Sequence, residues 1–152
     1  MDPESFLTSL AGSLIAAAFV PFFIDVWSKY ARPRLADMFY SGAKINGQWK
    51  AEAKYEEEGK SVTGHEMVDV NQLGNLVSGE MRAQLTNECA VYVFKGEIVN
   101  SILTASYWKK GTDSSHDRGT IALKVVDDDK LDGSFTYYED NHIVSGLYSW
   151  KK

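Results

Sequence analysis

Residues 48–56, QWKAEAKYE, alternate without a slip: Trp49, Ala51, Ala53 and Tyr55 fall on one side, Lys50, Glu52 and Lys54 on the other. Successive side chains of an extended chain point to opposite faces, so this period of two predicts a strand with one dry face and one wet face. Working outward, strand-like segments recur to the end of the chain. They predict strands over 48–56, 61–72, 76–85, 90–97, 101–109, 119–126, 131–139 and 142–150. The connectors are short and rich in turn formers: Glu58-Gly59, Leu73-Gly74-Asn75, Asp127–Lys130 and Asp140-Asn141. Only Gly111–Arg118, GTDSSHDR, makes a longer polar loop. No helical period intervenes, which excludes parallel pairing through crossovers.

The expected fold class is therefore all-β, an up-and-down antiparallel barrel of about eight strands. Closure removes exposed edges, and eight strands enclose side chains or one small ligand. Gly64, Gly79, Gly96, Gly133 and Gly146 fall inside strands, where glycine marks bends or close approaches. An open sheet or a two-layer sandwich is the alternative. The opening Ile45-Asn46-Gly47-Gln48-Trp49 is similar to the Gly-x-Trp that begins many lipocalin and avidin-type barrels.

Upstream, residues 6–27, FLTSLAGSLIAAAFVPFFIDVW, carry a single charge, Asp25. About 20 apolar residues span a bilayer core, and small and apolar side chains surround this segment on all sides, unlike an amphipathic surface helix. A transmembrane helix is expected over residues 1–30, a juxtamembrane connector over 31–44 and the barrel over 45–152. Asp2 and Glu4 precede the span while Lys29, Arg32 and Arg34 follow it, which places the barrel in the cytoplasm at the cell inner membrane. Ala11, Gly12 and Ala16 set small residues at about four-residue intervals, the pattern that lets membrane helices self-associate. Pro21 is expected to kink the span, and the stretch 31–41 to form a short helix beginning near Pro33.

From Ser41 onward there are 13 Lys+Arg against 17 Asp+Glu, a mildly acidic balance of −4 that argues against duplex nucleic acid as a partner. Cys89 is the single cysteine, so no internal disulfide is expected, and it reads as a small buried residue. His65, His116 and His142 are scattered, and no nucleophile elbow, phosphate-cradling loop or zinc motif occurs. No catalytic residue, metal ligand or cofactor is assigned. The aromatic residues are more informative. Several tyrosines on neighbouring strands exceed what a dry core takes, because each buried hydroxyl needs a partner. A pocket accounts for them, its rings stacking on bases and nearby Lys or Arg meeting phosphate. The candidate ligand-binding residues are Tyr55, Arg82, Tyr107, Trp108, Lys109, Tyr137 and Tyr148. Parity favours Tyr137 and Tyr148 as interior, leaves Tyr107 and Trp108 as alternatives for one strand, and turns Arg82 outward unless it lies at the rim.

An apolar N-terminus, the basic stretch Lys29–Arg34, the opening Ile45-Asn46-Gly47 with Trp49, and the closing Gly146, Tyr148-Ser149-Trp150-Lys151 together resemble a known family. It is that of bacterial antiphage effectors of the CBASS type, transmembrane β-barrels that respond to cyclic oligonucleotides. The resemblance implies that the barrel binds a cyclic dinucleotide and that the anchor forms a homo-oligomer that disrupts the membrane and arrests growth. Members described with two membrane helices are the nearest comparison, whereas residues 31–40 here contain Arg32, Arg34 and Asp37 and cannot form a second span. Two other functions fit the same residues: an anchored, lipocalin-like binder of small molecules, and a non-catalytic adaptor module.

Overall fold

The computed structural model describes residues 17, 19–57, 59–84, 89–111, 118–139 and 142–152. Two compact units divide the chain, Met1–Phe39 and Tyr40–Lys152.

The second unit is a closed antiparallel barrel of eight strands, each paired with the next and the last with the first. Its strands are β1 (Gly47–Glu57), β2 (Lys60–Leu73), β3 (Leu76–Gln84), β4 (Cys89–Val99), β5 (Ile102–Lys109), β6 (Arg118–Asp127), β7 (Lys130–Glu139) and β8 (His142–Lys151). The expected meander is thus observed, and the open sheet and sandwich are not. The ring closes through β1 and β8, from Lys50 opposite Lys151 to Tyr55 opposite Gly146. The dry face of β1 fills the interior: Trp49 is 1% exposed, Ala51 2% and Ala53 6%, whereas Lys50 and Lys54 lie on the outer wall.

The two ends of the barrel differ. At one end Trp49, Trp150, Phe94, Ile98, Leu103, Leu123 and Leu131 pack solidly. Ile45, 1% exposed, plugs this end from the segment before β1. A single side chain ties that segment down. Gln72 Oε1 accepts from the Ile45 amide (2.7 Å), while Nε2 donates to the Ala43 and Gly74 carbonyls (3.0 and 2.9 Å). The Trp49 indole donates to the Ile45 carbonyl (2.8 Å). The turns at 74–75, 100–101 and 128–129 all lie at this closed end. The opposite end, the mouth, carries the connections after β1, β3, β5 and β7.

Two turns depart from expectation. Asn100 and Ser101 both take positive φ (51° and 62°), the type I′ geometry whose twist matches a right-twisted hairpin. Ser101 is therefore a turn residue and not the first residue of a strand. A register shift between Val125 and Asp127 marks a bulge before the Asp127–Lys130 turn. There the Asp129 amide donates to Asp127 Oδ1 (2.9 Å), so one carboxylate of the acidic run closes its own turn. Cys89 is exposed at the start of β4, a correction to its expected burial; the adjacent inward position belongs to Ala90.

In the first unit, residues 19–26 are helical and lead through a π turn, Trp27–Ala31, into α1, Arg32–Phe39. The short helix expected near Pro33 is present, and the irregular turn lies at Trp27–Ala31. Asp25 pairs with Lys29 one turn on (2.9 Å). Phe19, Phe22, Phe23, Ile24 and Trp27 are all exposed. Among the described residues no helix is long and apolar enough to cross a membrane. Most of the expected span, with Ala11, Gly12 and Ala16, lies outside the described residues.

Candidate ligand-binding site

Inside the mouth half of the barrel, the two walls are built from different side chains. On β1–β4 the inward positions include Ala51, Ala53, Gly64, Ala83 and Ala90, small residues that come into line because Ala53 pairs with Gly64 and Ala83 with Ala90, alongside Tyr55, Val62 and Glu66. On β5, β7 and β8 the inward positions are Tyr107, Phe135, Tyr137 and Tyr148, and Tyr92 reaches in from β4. A side-chain atom added at Gly64 would touch only the Ala53 Cβ, at 3.9 Å, so there is room on the small-residue wall. On the opposite wall Gly119 lies directly beneath the Tyr107 ring, which occupies the space a side chain would need.

The aromatic rings form a continuous edge-on column from mouth to floor. Tyr55 meets Phe135 (5.9 Å between centroids), Phe135 meets Tyr148 (5.7 Å), and Tyr148 meets Trp150 (5.8 Å), which packs on Phe94 (5.8 Å). Tyr92 and Tyr107 make a second edge-to-face pair (5.9 Å). Among the described residues the Trp150 indole N–H is buried without an acceptor.

Among these rings stands one carboxyl group. Glu66 shares the inward face of β2 with Gly64, Val68 and Val70, opposite Ala51 of β1. The Tyr148 hydroxyl donates to Glu66 Oε2, in a short hydrogen bond, and lies 3.5 Å from the Met81 sulfur. Burial pushes the Glu66 carboxyl above its ordinary range, and the Tyr148 hydrogen bond opposes that in part. Burial, and then the nearby Glu66, push the Tyr107 and Tyr148 phenols well above 10. Both therefore stay protonated donors; the Tyr107 hydroxyl donates a hydrogen bond to the Thr136 carbonyl (3.1 Å).

Of the expected site residues, Tyr55, Tyr107, Tyr137, Tyr148 and Lys109 occupy inward register positions, and the structure brings them together. Arg82 and Trp108 do not join them. Arg82 stands on the outer wall with Asp69 (2.7 Å) and Glu80 (3.5 Å), where Glu80 also holds Lys110 (2.5 Å). Trp108 is outward because Phe94, pointing in, pairs with Tyr107 and so fixes the phase of β5. Glu66 is the functional candidate that pattern reading missed. The cue was available, since Gly64, Val68 and Val70 put position 66 on the apolar face.

No protein-family model matches the chain, and neither a curated protein nor a solved structure matches it. Fold and site define its class: an eight-stranded antiparallel barrel with a packed floor and an aromatic, hydroxyl-rich mouth built around one carboxyl group.

Proposed function

We propose that this protein is a membrane-anchored receptor whose barrel binds a cyclic dinucleotide, without catalysing a reaction on it. The N-terminal segment acts as the anchor in the inner membrane, with the barrel in the cytoplasm. Ligand occupancy controls self-association through Ala11, Gly12 and Ala16, and with it membrane disruption and growth arrest. A ligand biases such an equilibrium only by its different affinity for the two arrangements.

The observation that carries the reading is the pairing of a small-residue wall with a tyrosine wall around Glu66. Tyrosine rings offer faces on which a planar base stacks, and such stacking contributes about 1–3 kcal/mol per base. Glu66 accepts from a base N–H and repels phosphate, so the base goes deep and the phosphates stay at the rim. There Lys60, Lys109 and His142 occupy inward register positions. The inward tyrosines also weigh against a purely apolar ligand.

The test is calorimetry of the full chain in nanodiscs against a panel of cyclic di- and trinucleotides. Heat is expected with at least one member, and Gly64→Val, whose Cβ would meet only the Ala53 Cβ at 3.9 Å, should abolish it while leaving the melting temperature within a few degrees. Absence of heat and of any thermal shift across the panel would overturn the proposal. Expression of the full chain should arrest growth, and removal of residues 1–30 should relieve the arrest.

A further inference from the structure

The three hairpins at the closed end expose large apolar side chains beside their turns. Leu73 and Leu76 flank the β2–β3 turn with 40% and 58% of their surface exposed, Val99 and Ile102 flank the β4–β5 turn with 50% and 47%, and Val126 precedes the β6–β7 turn with 54%. Hairpin tips in water are ordinarily polar, because turn residues gain nothing from apolar neighbours. Among the described residues the mouth end is different. Glu56, Glu57, Lys60, Lys110 and Arg118 lie near its tips, and only one hairpin there, with Tyr138 and Ile143, exposes large apolar groups.

We infer that the closed end of the barrel docks on the lipid bilayer, its hairpin tips sitting at the level of the headgroups. This rests on the anchoring part of the proposed function and not on the identity of the ligand. The chain joins the barrel at this same end, where Gln72 holds Ala43 and Ile45. The connector is short: α1 rises about 12 Å at 1.5 Å per residue. Its Leu35, Met38 and Phe39 expose 39%, 70% and 80% of their surface. The chain thus enters the barrel at its apolar end, and the mouth lies one strand length away from that entry. Charge at this end is mixed, with Lys44, Lys124, Lys130, Lys151 and Lys152 interspersed among Glu97, Asp127, Asp128, Asp129 and Asp132. Apolar insertion and not attraction to anionic lipid is then the driving force, and docking is insensitive to salt.

The full chain tests this, with Cys89→Ser removing the native thiol. Single cysteines at Leu76→Cys, Ile102→Cys and, as the mouth control, Lys60→Cys carry a polarity-sensitive fluorophore in phosphatidylcholine vesicles containing spin-labelled quencher lipid. Flotation of the vesicles reads anchoring separately. The expected result is blue-shifted, quenched emission at positions 76 and 102, water-like emission at position 60, and no change in high salt. A chain that floats but shows equal, water-like emission at all three positions overturns the docking while leaving the anchor intact. Cross-linking of tips between two copies without quenching likewise overturns it, in favour of a second protomer on this face. A chain that does not float overturns both.

Discussion

At Glu66 a carboxyl side chain faces an interior otherwise made of apolar groups and phenols. Enclosing a carboxylate costs several kcal/mol, and one hydrogen bond to a charged acceptor returns about 1.5–3 kcal/mol. Tyr148 alone does not balance the cost, so Glu66 weakens the fold that holds it, as is typical of residues placed for binding. The sign of the pH dependence follows. A carboxyl whose folded-state value is raised gives its full contribution below the ordinary carboxylate range and loses it as pH rises through the folded-state value. Glu66→Gln should therefore melt higher than the native protein at neutral pH, with the gap closing near pH 4. Thermal melts at both pH values check this, and a gap independent of pH would contradict it. Tyr148→Phe removes the donor that favours the ionised form, so it should cost about 2 kcal/mol at neutral pH and less in acid. Sequence alone placed Tyr137 and Tyr148 inside by parity. It could not choose between Tyr107 and Trp108, because both phases of 101–109 bury apolar residues and only pairing with β4 decides.

Among the elements, the segment before β1 is held chiefly by side-chain bonds. Gln72 makes three hydrogen bonds with backbone groups of Ala43, Gly74 and Ile45, and its own amide donates to Asn46 Oδ1 (2.5 Å). Gln72→Ala removes the three side-chain bonds. At about 1 kcal/mol each it should destabilise the barrel by 2–3 kcal/mol, with fast hydrogen exchange appearing at the Ile45 amide. Urea titration together with exchange measurements would show it; an unchanged midpoint would mean that the plug stands without its clamp. The strands themselves were legible, since alternation along Trp49–Tyr55 is a local property. The clamp was not, because a glutamine on a strand carries no signature of a partner 27 residues away. The Asn100-Ser101 turn was hidden for a related reason: serine is an unusual choice at positive φ, and nothing nearby resembles the Asn-Gly pair that such turns favour.

For the whole molecule, the order of pairing makes the barrel one cooperative unit. Every strand has two partners, and the aromatic column links floor to mouth. Fluorescence of Trp49 and Trp150 at the floor, tyrosine absorbance at the mouth and far-ultraviolet circular dichroism should therefore share one unfolding midpoint. Separate midpoints would show that the mouth opens independently. Closure was inferred from strand number and the cost of open edges. The assignment of bulky apolar residues to one end and of small residues facing tyrosines to the other needed the register, because it depends on which Ala and Gly positions line up across β1–β4.

The seam between β1 and β8 also bears on how the chain is made. Lys50 waits for Lys151, and Ala53 for Tyr148, across nearly the whole length of the barrel sequence. During synthesis β1 leaves the ribosome well before β8, and it stays an unsatisfied edge until β8 emerges. A stalled or nicked product lacking β8 therefore presents two raw edges and an uncovered Trp49. Such a product is a substrate for aggregation or for quality-control proteases and not a weaker version of the closed barrel.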